Sequence, residues 1–134
     1  FDARKLPIEL GSFDRILLDA PCTGIGALRR RPEVRWRRTV QDLRSLTELQ
    51  SELLDAAATV LNSEGIIAYV TCSSHQAETT FQIRAFLKRH PNFSRIPVRD
   101  PRANSDGELQ LWTHRDGCDS MFLAMLKKQG SEKA

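Results

Sequence analysis

The chain has 134 residues, 40% of them hydrophobic, and a formal net charge of +3. That is one domain's worth at most, with enough apolar character for a core but no stretch long or uncharged enough to span a membrane. Three cysteines, an odd number without paired spacing, argue against a secreted disulfide framework and fit a reducing, cytoplasmic compartment.

In chain order, Phe13-Asp14-Arg15-Ile16-Leu17-Leu18-Asp19 is the first expected strand, and it runs into Ala20-Pro21-Cys22-Thr23-Gly24. A short apolar run bounded by turn residues reads as a buried strand. Thr39-Val40-Gln41-Asp42 has a hydroxyl for an N-cap and an acid for the first turn of a helix. Leu43, Leu46, Leu49, Leu53, Leu54, Ala57 and Leu61 continue it as an apolar stripe at helical spacing, read as core rather than as a cofactor contact. Asn62-Ser63-Glu64-Gly65 is expected to end that helix and turn into a second strand, Ile66-Ile67-Ala68-Tyr69-Val70, which leads to Thr71-Cys72-Ser73. A second helix is expected from about Ala77 to His90, stopped by Pro91, with Phe81, Phe86 and Leu87 on its inner face. Phe93 to Val98 reads as a strand, and Pro97, Pro101, Asn104 and Asp106-Gly107 mark irregular chain. Leu109 to Trp112 and Met121 to Leu126 form a closing strand pair around an Asp116-Gly117 turn.

The alternation of strands and helices gives an α/β class of the doubly wound type. Reactive groups in such sheets collect at the carboxyl ends of the strands. Cys22 and Cys72 both follow strand ends, so they are expected on one rim, facing one pocket. Pro21 lacks an N–H and fixes its own φ, and Thr23-Gly24-Ile25-Gly26 permits close approach of backbone, an unusual setting for a merely structural thiol. Arg29, Arg30, Arg31, Arg35, Arg37 and Arg38 surround Trp36 immediately afterwards. Guanidinium groups clamp phosphate and an indole stacks on an unpaired base, so this stretch is the expected RNA contact. No close Cys-x-x-Cys pair exists. Cys72 with His75 and His114 with Cys118 are weak metal suspects, and no metal is expected.

Asp19-Ala20-Pro21-Cys22-Thr23-Gly24, Arg31-Pro32-Glu33-Val34-Arg35-Trp36 and Thr71-Cys72-Ser73, in that order, resemble the RNA cytosine-5 methyltransferases. The resemblance is to the Sun/Fmu type that acts on bacterial small-subunit ribosomal RNA. It extends through Gln50-Ser51-Glu52-Leu53-Leu54-Asp55-Ala56-Ala57 and, more weakly, Leu111-Trp112-Thr113-His114-Arg115. It implies a Rossmann-like methyltransferase fold, with a mostly parallel sheet and a terminal antiparallel strand, and S-adenosylmethionine as methyl donor. It also implies Cys72 as the nucleophile at cytosine C6, Cys22 as the group that assists release, and Asp19 at the base's ring-nitrogen edge. Asp2, Asp19 and Pro21 fall on the donor side. No Gly-rich first turn or ribose-holding acid is present. The 134 residues are therefore expected to be the C-terminal part of one catalytic domain without its N-terminal donor-binding half, open to self-association along an unpaired strand edge.

Two departures from the family pattern are visible. Glu78-Thr79-Thr80 stands where Glu-Asn-Glu is usual, and Asp119-Ser120-Met121-Phe122 where Asp-Gly-Phe-Phe is usual. A thiol phosphatase would need an arginine six residues after its cysteine, where Glu78 and Leu28 stand. An amino-group methyltransferase would want a Pro-Pro-aromatic run in place of Ala20-Pro21-Cys22. The remaining alternative is a non-catalytic RNA-binding fragment resting on residues 29–38.

Overall fold

The computed structural model describes residues 2–24 and 40–130. After a 3-10 turn at Ile8–Leu10, the chain runs through β1 (Phe13–Asp19), α1 (Val40–Thr59), β2 (Leu61–Thr71), a 3-10 turn at Gln76–Glu78 and α2 (Thr80–Arg89). It closes with β3 (Phe93–Ile96), β4 (Leu109–Leu111), the one-turn helix α3 (Thr113–Asp116) and β5 (Met121–Lys128).

The five strands form one sheet in the order β1-β2-β5-β3, with β4 also on β5. β1 and β2 run parallel, with Asp19 opposite Val70. β2 and β5 run antiparallel, with Thr71 opposite Phe122. β3 and β4 both pair antiparallel with β5, through Ser94 opposite Lys127 and Gln110 opposite Phe122. The α/β class holds, but among the described strands the sheet is mixed, with one parallel pair against three antiparallel ones. Apolar runs set which residues form strands. They do not set strand direction, which here follows from β5 entering beside β2.

Alternation along the strands puts Ile67 and Tyr69 on the same face as Ala124 and Leu126, and all four are buried. Leu54, Ala57 and Ala58 of α1 and Ile83 and Phe86 of α2 join them in one core. Several boundaries differ from expectation: β3 stops at Ile96 rather than Val98, β5 runs on to Lys128, and two helix boundaries move as well. α1 stops at Thr59, and Leu61 to Gly65 already belong to β2. There the pairing with β1 is irregular between Phe13 and Arg15, and Glu64 takes a left-handed φ of 66°. The strand thus absorbs the Asn-Ser-Glu-Gly turn as a bulge. α2 begins at Thr80, and at 3.6 residues per turn Phe81 lies about 140° around the helix from Phe86. Ile83 and Phe86 face the core, and Phe81 is left exposed. Thr39, the expected cap of α1, lies outside the described residues.

Candidate active site

β1 and β2 are parallel neighbours, so their carboxyl ends deliver the two cysteine loops side by side. Ala20 continues the pairing, its N–H donating to Val70 O at 2.9 Å. Beyond that point the Cys22 thiol sits within hydrogen-bonding reach of the backbone N–H groups of Gly24 and Cys72. Both cysteines are half-buried, and no disulfide joins them. The expectation that the two thiols share one rim is met in geometry.

Behind the thiols lies a buried polar layer built around Glu78, which is 0% exposed. Its Oε1 accepts from the Thr23 N–H at 2.8 Å and from Gln50 Nε2 at 3.2 Å. Its Oε2 accepts from Thr23 Oγ1 at 2.8 Å and from Ser73 Oγ at 2.6 Å. Gln50 Nε2 also donates to Pro21 O at 2.9 Å, and the Tyr69 hydroxyl donates to Glu78 O at 2.9 Å. Ser73 Oγ accepts from the His75 N–H at 3.0 Å, and Gln110 Nε2 donates to Ser73 O at 3.2 Å. Residues from both cysteine loops, α1, the 3-10 turn and β4 thus converge on one cluster. Most buried polar groups are hydrogen-bonded in this way.

The surroundings act on the Cys22 thiol in a definite direction. Burial raises its pKa most. The hydrogen bonds from Gly24 and Cys72 work against that, and the negative charges of Glu78 and Cys72 raise it further. Cys22 therefore keeps its proton near neutral pH, the condition for a group that gives or relays a proton rather than one that attacks. No α-helix N-terminus adjoins Cys72: α2 starts only at Thr80, beyond the 3-10 turn, and a helix dipole's influence fades within its first turn.

The other expected site residues fall as follows. Asp19 ends β1 with its side chain exposed, and Pro21 is exposed beside it on the same rim. Asp2 is held by Arg4, which bonds both carboxyl oxygens at 2.7 to 3.1 Å and lowers the pKa of Asp2 to about 2. The arginines and Trp36 of residues 29–38 lie outside the described residues. Among the described residues no group of three His, Cys, Asp or Glu side chains could hold a metal ion.

Glu78, Gln50 and Ser73 are the functional-layer residues that sequence reasoning passed over. Gln50 had a readable signal. It is a polar residue placed between Leu46 and Leu53-Leu54 on the apolar stripe of α1, where a buried amide needs a partner.

Comparison with known proteins places the chain in a family. The model of the family described as 16S rRNA methyltransferase RsmB/F matches residues 1–127. A Mycobacterium tuberculosis protein is 47% identical over 132 residues, which is 95% of this chain and 29% of that protein. Ribosomal RNA small subunit methyltransferase B of Vibrio cholerae is 40% identical over 117 residues, 87% of this chain and 26% of that protein. Among solved structures, NSun6 from Pyrococcus horikoshii with the S-adenosylmethionine analogue SFG superposes with a TM-score of 0.84 at 25% identity, covering 98% of this chain and 34% of that one. The chain thus spans roughly a third or less of each of these relatives.

Proposed function

The chain belongs to the 16S rRNA methyltransferase RsmB/F family, and on that premise we propose that it forms the C-terminal part of the catalytic domain of an S-adenosylmethionine-dependent RNA cytosine-5 methyltransferase, with small-subunit ribosomal RNA as substrate. The observation that supports this reading is the pair of half-buried thiols at the ends of two parallel strands, with the Cys22 thiol bonded to the Cys72 backbone.

Carbon 5 of cytosine is a poor nucleophile until a nucleophile adds at carbon 6. In this reading the Cys72 thiolate forms a bond to C6 and pushes the ring's electron pair toward C5. Asp19, exposed on the rim, accepts a hydrogen bond from the base's ring-nitrogen edge as that edge gains a proton. When bound, S-adenosylmethionine would supply an electrophilic methyl group, its sulfonium becoming a neutral thioether as the S–CH3 bond breaks. Once C5 carries the methyl, its proton is removed, the electron pair returns to the ring, and the C6–S bond breaks to release Cys72. Cys22, held protonated by burial, gives its proton to the departing Cys72 sulfur, and the thiolate so formed takes up the proton that leaves C5, so both thiols end protonated.

The described residues fit the donor's side only in part. Asp19 and Pro21 are open on the rim. The Asp2 carboxyl is taken up by Arg4, so donor contact there would have to displace that pair. No described helix is long and apolar enough to cross a membrane.

The test is covalent trapping on ribosomal RNA carrying 5-fluorocytosine, using a polypeptide that holds this chain together with a donor-binding half. Fluorine cannot leave C5 as a proton does, so the C6–S bond persists. A stable adduct that maps to Cys72 and vanishes in Cys72→Ala is the expected result. An adduct that survives Cys72→Ala but not Cys22→Ala reverses the roles, and no adduct at either thiol removes the covalent reading.

A further inference from the structure

A glutamate without any exposure needs a reason. Acidic side chains are almost never fully buried unless paired, and placing a carboxyl group in a low-dielectric interior costs several kcal/mol unless its oxygens are bonded. Among the described residues no cation pairs with Glu78. Its oxygens instead receive four neutral donors, divided between the two cysteine loops and α1. Three of the four come from residues adjacent to a thiol: the Thr23 N–H and hydroxyl follow Cys22, and the Ser73 hydroxyl follows Cys72.

We propose that Glu78 is a positioning residue for the thiol pair, one carboxyl group that fixes the Cys22 loop against the Cys72 loop and keeps a negative charge behind Cys22. This rests on the methyltransferase reading for its purpose but not for its measurement. A positioning residue must hold a spacing that the chain would not otherwise keep. Thr23 and Ser73 belong to loops more than forty residues apart in sequence, and each donates to the same Oε2, Thr23 at 2.8 Å and Ser73 at 2.6 Å. Removing the carboxyl leaves the Thr23 N–H, two hydroxyls and the Gln50 amide without their shared acceptor, an arrangement that low dielectric penalises strongly. The loops are then free to separate.

A glutamine at this position separates holding from charge. Its carbonyl can take the place of Oε1, whose partners are the fixed donors Thr23 N–H and Gln50 Nε2. Its NH₂ can take the place of Oε2, whose partners are hydroxyls that rotate to accept. Glu78→Gln is therefore expected to keep the geometry and lose the charge, whereas Glu78→Ala loses both.

The experiment uses the full chain in a Cys118→Ser background, with no RNA or donor present, so its outcome is independent of the trapping assay. Dibromobimane, which fluoresces strongly only after joining two neighbouring thiols, reports the spacing. Iodoacetamide labelling across alkaline pH, read for each cysteine by mass spectrometry, reports the charge. The expected results are rapid bridging in the parent and in Glu78→Gln, and bridging slowed tenfold or more in Glu78→Ala. Cys22 labelling at pH 8 should be several-fold faster in Glu78→Gln. If Glu78→Ala does not fold, Thr23→Val and Ser73→Ala decide the matter: slowed bridging in either supports the proposal, and parent rates in both overturn it. Parent-rate bridging in a folded Glu78→Ala, or a Cys22 labelling profile unmoved in Glu78→Gln, also overturns it.

Discussion

The two faces of the sheet are made from the same apolar strands, yet they differ in what covers them. On one face Ile67, Tyr69, Phe122, Ala124 and Leu126 are buried under α1 and α2. On the other, Ile66, Ala68, Val70, Leu123 and Met125 of the same two strands remain half-exposed, and Leu17 of neighbouring β1 is 72% exposed. Nothing in the residue types separates the faces, because both are apolar. The difference is one of cover: both long helices of the described chain pack on one side, and the polar layer behind the thiols lies on that side too. Stability and thiol geometry are thus concentrated on a single face.

The sharpest way to break this comparison is to truncate neighbours on opposite faces. Leu126→Ala, at a fully buried position, is expected to cost about 3 kcal/mol. Met125→Ala, one residue away on the half-exposed face, should cost less than about 1 kcal/mol. Urea midpoints measure both, and equal losses would mean that the second face is as firmly packed as the first.

A smaller effect sharpens the comparison by testing the polar groups on the covered face. Tyr69→Phe removes the hydrogen bond to Glu78 O and should cost about 1 kcal/mol at neutral pH. Burial raises the pKa of both Tyr69 and Cys22 above their ordinary values of 10.0 and 9.0. The folded state therefore favours the protonated forms. The stability this confers is whole below those ordinary values and is lost as pH rises through the folded-state ones. Unfolding by urea from pH 7 to pH 11 should show the parent weakening on the alkaline side, with a shallower decline in Tyr69→Phe.

The smallest expected effect is at Thr71, whose buried hydroxyl has no hydrogen-bond partner among the described residues. Thr71→Val should leave stability unchanged or slightly raised, because the hydroxyl it removes is already unsatisfied. A loss above about 1 kcal/mol in the same urea assay would reveal a partner for that hydroxyl, since a typical net hydrogen bond is of that size.

Much of this was legible in the sequence. The apolar run Ile16-Leu17-Leu18 located β1 at its observed bounds, and the run before Thr71 located the core of β2. Two thiols after two strand ends predicted a shared rim, and the rim is there. What was not legible depends on contacts between distant residues. The end of α1 was misplaced because Leu61 fits the helical stripe as well as it fits a strand, and only pairing with Phe13 decides between them. Phe81 and Phe86 are both apolar but five residues apart, so they cannot share a helix face, and only the packing of α2 shows that Phe86 is the one turned inward. Glu78 matches the first position of the usual Glu-Asn-Glu, but its burial cannot be seen until Thr23, Gln50 and Ser73 are brought around it. Strand direction was hidden for the same reason.

The place of β5 in the sheet also has a consequence in time. Residues 121–128 are last in sequence among the described strands, yet within that set they are the sole partner of β3 and β4 and cover one edge of β2 from Ile66 to Thr71. Among the described strands, the parallel β1–β2 pair is the one that can form before β5 emerges during synthesis, and parallel pairing over a long connection is slow to close. The edge of β2 that β5 covers stays bare until β5 arrives, and this interval leaves a newly made copy open to capture by a chaperone or by another nascent chain.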